Sequence, residues 1–268
     1  MPETPKKEMT FFDHLGELRW RLVKCIIAIL ILAIVIFIYE TEIVEGLFLG
    51  MAKPDFITYD FLCSISQATG MEESLCASEI KLQMIDTKMS GQFTASIYIA
   101  IIGGIVIAFP YIFYQLWSFV KPGLKKNEIH GSKGIVFWAS LLFALGILFG
   151  YYIVSPLCVQ FFGTYSISDD IAKMPIFSEY ISMITTTTFW TGILFELPMV
   201  IFIMSKIGLI GPEFLRTYRK HAVVVVLILA AIITPPDFIS QIIVAVPILL
   251  LYEISIFVSA SVAKKAKV

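Results

Sequence analysis

Histidine is nearly absent from this chain, three in 268 residues, and charged side chains make up only 15% of it. His14, His130 and His221 stand far apart, so no imidazole cluster offers itself to a metal. Neither H-E-x-x-H nor G-x-S-x-G occurs, and a phosphate-cradling G-x-x-x-x-G-K-[ST] loop is missing as well. The chain is therefore not read as an enzyme, and nothing in it calls for a cofactor. A basic block and a stacking motif are both lacking, which removes the footprint of a nucleic-acid binder. The first ten residues are polar, and the first apolar run has no small-residue cleavage site within reach, so that run is expected to stay in place rather than be cut off. No internal repeat or low-complexity tract is evident. A soluble fold is the last thing excluded, because 58% hydrophobic content and a mean hydropathy of +0.86 exceed what one core can hide.

What is present in abundance is long apolar runs, at residues 22–39, 93–120, 135–162, 181–204, 222–233 and 238–258. A bilayer core of about 30 Å needs roughly 20 apolar residues per helix. The fifth run is short, about 18 Å at about 1.5 Å per residue, so it must borrow flanking residues or lie where the membrane thins. Lys6, Lys7, Arg19 and Arg21 precede the first run; Lys121, Lys125, Lys126 and Lys133 follow the second; Lys206, Arg216, Arg219 and Lys220 follow the fourth; Lys264, Lys265 and Lys267 close the chain. These are most of the 20 basic residues, and they fall on alternate connections. The positive-inside bias places both termini in the cytoplasm. Pro110, Pro156, Pro198 and Pro247 lie inside runs and favour kinks. The expected fold is an all-α membrane protein of six transmembrane helices, kinked into a cupped bundle. A single domain over residues 1–268 is expected, with a cytoplasmic amphipathic segment at 1–21, an extracytoplasmic cap at 40–92 and a cytoplasmic tail at 259–268.

Several polar residues stand out against this background. Phe11, Leu15, Leu18 and Leu22 repeat at helical steps, with Asp13, Glu17 and Arg21 as the polar stripe, as a helix lying on the membrane surface requires. Thr10 and Asp13 resemble a capping box there. Glu17 and Arg21 form an i, i+4 pair worth only a few tenths of a kcal/mol, roughly. Glu196 is the sharpest intramembrane feature, since a central carboxylate costs about 2.5 to 3.5 kcal/mol on insertion scales; it is expected to line the hollow side. Thr185 to Thr188 add hydroxyls on the same span. Gln241 could hydrogen-bond a partner helix, and Glu253 lies nearer the inner end. Cys63 and Cys76 share the long outer connection, where a disulfide closing residues 63–76 would be worth on the order of 3 kcal/mol; two separate thiols are the alternative. Cys25 and Cys158 read as small buried hydrophobes.

Residues 14–22, His-Leu-Gly-Glu-Leu-Arg-Trp-Arg-Leu, resemble the His-Leu-x-Glu-Leu-Arg-x-Arg-Leu signature of the TatC family, the polytopic subunit of the twin-arginine protein translocase. Three further segments match in order: Tyr114 to Leu124 with Glu128, then Phe195-Glu196-Leu197-Pro198, then Thr234-Pro235-Pro236-Asp237 with Gln241. The long outer insertion with its cysteines departs from the pattern. The resemblance implies a receptor for signal peptides with two consecutive arginines, working in the bacterial cytoplasmic (inner) membrane with TatA- and TatB-type single-span subunits to export folded proteins. It implies the proton motive force as the energy source. It also implies signal-peptide contacts at Glu17, Arg19, Phe119 and Glu128, a polar intramembrane site at Glu196, an outer-turn motif at Pro235, Pro236 and Asp237, and a partner-helix contact at Gln241. Carboxylates suit that task, because they pair with guanidinium bidentately. The rival reading is a secondary transporter of a small solute using the intramembrane glutamate, although paired repeats are lacking.

Overall fold

The computed structural model of the chain describes residues 11–53, 56–60, 63–64, 83–121, 134–168 and 174–266. Among these the secondary structure is helical, and the β pairing is confined to one isolated parallel bridge between Ile85 and Ile176. The first span is the helix Phe11–Ile38, the second Gly91–Val120. The third joins Ile135–Phe149, a π-helical turn Gly150–Val154 and Ser155–Thr164. The fourth is two helices, Phe177–Phe195 and Leu197–Lys206; the fifth is Arg219–Ile233 and the sixth Phe238–Ala266. Five of the six are long and apolar enough to cross a bilayer. The fifth has 15 residues, which reach about 22 Å at about 1.5 Å each. The amphipathic N-terminal stretch is no separate surface helix. It runs without a break into the first span, because nothing between Phe11 and Ile38 stronger than the lone Gly16 interrupts the helix.

The prolines do different work in each span. Pro156 has no N–H for the carbonyl of Tyr152, four residues earlier. The π-helical turn accommodates the mismatch, and Thr58 Oγ1 donates to that carbonyl at 2.5 Å. Pro198 opens the second half of the fourth span just after Glu196, the one residue between its two helices. Pro110 and Pro247 sit inside continuous helices.

Packing proceeds along an open row. The first span lies on the second, the second on the third and fourth, the third on the fourth, the fourth on the sixth, and the sixth on the fifth. The fifth also touches the fourth and shares a buried cluster with the third and sixth, so the row curves back on itself into a cupped bundle, with the first and fifth spans at its ends. Small residues set the closest approaches. A Cβ on Gly104 would come within 2.9 Å of the Ile29 carbonyl oxygen, and one on Gly146 within 2.8 Å of the Gly192 Cα. Hydroxyls join the spans further out: Tyr98 Oη meets Thr186 Oγ1 at 2.8 Å, and Ser155 Oγ meets Thr188 Oγ1 at 3.1 Å. The threonine run is thus engaged inside the bundle.

On the outer side the first span continues into a helical crest made of Glu40–Ile43, a π-helical turn Val44–Phe48 and Leu49–Met51. Carbonyls near a helix end have no intrahelical partner. Here tyrosines supply one: Tyr151 Oη donates to Leu47 O at 2.7 Å, Tyr180 Oη to Phe48 O at 2.8 Å and Tyr59 Oη to Met51 O at 3.0 Å. Phe56 stacks on Tyr152 with ring centres 6.0 Å apart. Burial pushes the Tyr59 phenol above its ordinary range, which keeps it a donor. Cys63 is disulfide-bonded, while Cys25 and Cys158 are buried thiols; Cys76 lies outside the described residues.

Candidate functional site

The antiparallel first and second spans bring the start of one beside the end of the other, on the side the basic bias assigns to the cytoplasm. Glu17 and Arg21 share a face of the first span, one turn apart. Arg21 Nε and Nη2 both donate to the same oxygen, Glu17 Oε1, at 3.0 and 2.5 Å. Arg21 Nη1 crosses to the second span and donates to Gln115 Oε1 at 3.1 Å. Gln115 Nε2 in turn donates to Tyr111 Oη at 2.8 Å. The result is that Glu17 Oε2 is buried and makes no hydrogen bond. Half a carboxylate is left with unused acceptor capacity at the mouth of the bundle.

The packing below explains why the geometry holds. Trp117, Ile135, Ala139 and Met199 form a buried cluster that fixes the inner end of the second span against the third and fourth. Gln115, two residues from Trp117, is 7% exposed. Phe119 follows one turn later and is half-buried. Arg19 is exposed on the first span, pointing away from the Glu17 and Arg21 pair by helical phase. Glu128 lies outside the described residues, as do Thr10 and the side chains of Asp13 and His14. Tyr111 and Gln115 were not singled out from the sequence. The available signal was a glutamine interrupting an apolar run at i, i+4 spacing from both Tyr111 and Phe119.

Glu196 forms a second site deeper in the bundle. It caps the end of Phe177–Phe195 and the start of Leu197–Lys206 at once, with Met199 N and Val200 N both donating to its carbonyl at 2.9 and 3.0 Å. Its side chain is 7% exposed, and neither carboxylate oxygen reaches hydrogen-bond geometry, although the backbone of Phe143 comes near. The glutamate is therefore buried where the two helices of the fourth span meet. At the outer turn, Asp237 Oδ2 accepts from Ser240 N at 2.7 Å and so caps the sixth span, leaving Oδ1 buried without a partner. Pro235 is buried and Pro236 exposed, with Asp237 N donating to Pro235 O at 2.8 Å. Gln241 Nε2 is used within the chain, donating to Leu227 O of the fifth span at 3.1 Å. Glu253 pairs with Arg219 at 2.8 Å, both exposed. Among the described residues there is no group of three or more His, Cys, Asp or Glu that could hold a metal ion.

Five long apolar helices and a shorter fifth span, packed together with buried carboxylates among them, define a multi-pass membrane protein. The family model for TatC, the Sec-independent protein translocase protein, matches residues 13–247. The chain is 38% identical over 261 residues to the TatC protein of Blattabacterium sp. subsp. Periplaneta americana (strain BPLAN), covering 97% of this chain and 98% of that one. It is 34% identical over 260 residues to TatCy of Bacillus subtilis (strain 168), covering 97% and 92%. A crystal structure of the twin arginine translocase receptor TatC in DDM superposes with a TM-score of 0.70 at 32% identity, covering 92% of this chain and 99% of that one. This chain belongs to the TatC family: it is a non-enzymatic subunit of a Sec-independent protein translocase, embedded in a membrane by several helices.

Proposed function

We propose that the inner mouth of this bundle receives export signals carrying two consecutive arginines, and that the chain recruits TatA- and TatB-type single-span subunits in the bacterial inner membrane to carry folded cargo outward. The observation that carries this reading is the unsatisfied Oε2 of Glu17. A buried acceptor without a donor is costly, and a guanidinium is the donor that fits a carboxylate best. The similarity to a solved twin arginine translocase receptor supports it. Glu128 supplies a second carboxylate in the connection that follows Phe119. Phe119, one turn beyond Gln115 on the second span, is an apolar contact for the signal, and Arg19 stands exposed on the other face of the first helix.

Binding of a twin-arginine signal peptide to the purified chain in detergent is the direct test, with a twin-lysine peptide as the comparison. A Glu17→Ala variant is expected to lose about tenfold or more in affinity for the arginine form, the size of one charge-assisted contact at about 1.4 kcal/mol per tenfold. Equal binding of both peptides by the unaltered chain would refute the reading.

A further inference from the structure

We infer that Gln115, steadied by Tyr111, is a positioning residue that draws Arg21 toward the second span and so keeps one buried oxygen of Glu17 unpartnered, as the acceptor for a guanidinium that enters the mouth and uncovers it. The inference rests on the receptor reading above and adds two residues to it that the motif alone does not assign.

An arginine four residues after a glutamate can close a parallel fork, with two N–H groups meeting the two carboxylate oxygens. That arrangement would use up both oxygens of Glu17. It is not what forms here, since Nε and Nη2 of Arg21 converge on Oε1 alone. The cause lies across the helix pair. The Nη1 arm is bound to Gln115 Oε1 at 3.1 Å, which fixes the guanidinium plane from the far side. Gln115 is buried, and turning its amide around would set its NH2 against the Arg21 guanidinium, so Oε1 stays on Arg21 while Nε2 donates to Tyr111 Oη at 2.8 Å. The chain from Tyr111 through Gln115 and Arg21 to Glu17 is therefore directional. Three N–H groups of Arg21 and one of Gln115 are engaged along it, and the spare acceptor capacity collects at Glu17 Oε2, which is buried and has no partner. Removing the Gln115 carbonyl would release Arg21 to close the fork and consume the oxygen that the signal needs.

The test is a double-mutant cycle on the full chain in detergent, reading affinity for twin-arginine and twin-lysine peptides in the unaltered chain, Glu17→Ala, Gln115→Leu and the double variant. Gln115→Leu is expected to bind the arginine peptide about tenfold more weakly, with the arginine-to-lysine preference shrinking by a similar factor. The double variant is expected to bind no more weakly than Glu17→Ala alone, because Gln115 acts only through Glu17. Losses that add in the double variant, or that fall equally on both peptides, would mean a general structural role and overturn the inference. Unaltered binding by Gln115→Leu with weakened binding by Glu17→Ala would overturn it while leaving the receptor reading intact. Unaltered binding by Glu17→Ala would remove the receptor reading itself. Should Gln115→Leu fail to fold, Tyr111→Phe keeps the ring and removes only the acceptor of Gln115 Nε2; it is expected to show a smaller loss, about twofold to fivefold, of the same arginine-specific kind, and unchanged arginine preference in it would overturn the inference.

Discussion

Glu196 and Glu17 are both carboxylates in apolar surroundings, yet their neighbourhoods assign them different duties. Glu17 keeps one oxygen engaged by Arg21 and the other unpartnered, whereas Glu196 has both unpartnered and is 7% exposed. An unpaired buried polar group destabilises the fold, so Glu196 works against the stability of the bundle. Replacing it with Met keeps much of the volume and removes the desolvation cost. Glu196→Met should raise resistance to thermal unfolding in detergent, on the order of 1–3 kcal/mol, while export of a folded reporter falls and membrane insertion persists. A stability gain at full export would show that the carboxylate serves no transport step.

Between elements, backbone proximity decides what can be exchanged. The third and fourth spans meet at Gly146, Gly150 and Gly192, where an added Cβ would press on Gly192 Cα, Thr188 Cα and Ile147 Cδ1 at 2.8, 2.9 and 2.7 Å. Gly146→Val should cost about 1–3 kcal/mol by overpacking, since backbone on the facing helix cannot yield as a side-chain tip can; thermal unfolding against a Gly46→Ala control, where nothing lies within 4 Å, measures it. The crest responds to pH instead. The Tyr59 phenol has a folded value raised by burial, so its contribution is complete below the ordinary tyrosine value of about 10 and fades as pH climbs toward the raised one. Alkaline unfolding should therefore be blunted in Tyr59→Phe relative to the unaltered chain, at the expense of a lower stability near neutrality.

How much of this was readable in advance depends on whether the signal is local. Run lengths and charge placement reveal the spans, their number and the short fifth one, because bilayer thickness acts on each segment separately. Glu196 stands out for the same reason, as a carboxylate in an apolar run. Gln115 does not, since its meaning comes from Arg21, 94 positions away. The continuity of Phe11–Ile38 was hidden by its change from amphipathic to wholly apolar, which reads as two helices although the backbone sees no breaker.

For the whole molecule, the fifth and sixth spans leave apolar surface that nothing in the chain itself covers. Val224, Ile228 and Ile232 on the fifth span and Ile242 and Val246 on the sixth are exposed. Where the bilayer meets a helix of only 15 residues it must thin or the helix must draw in its flanks, which lowers the barrier locally if partner helices gather there. Photo-crosslinkers at these positions are expected to capture single-span subunits in working membranes; capture confined to Ile27 and Ile31 on the first span would contradict this placement. The crest carries a different consequence, for biogenesis. Its carbonyls wait for hydroxyls made 104 and 132 residues later, on the third and fourth spans. While the chain is short the crest can make only its local bond, Tyr59 Oη to Met51 O, and its hydrogen bonding is completed once synthesis has reached Tyr180.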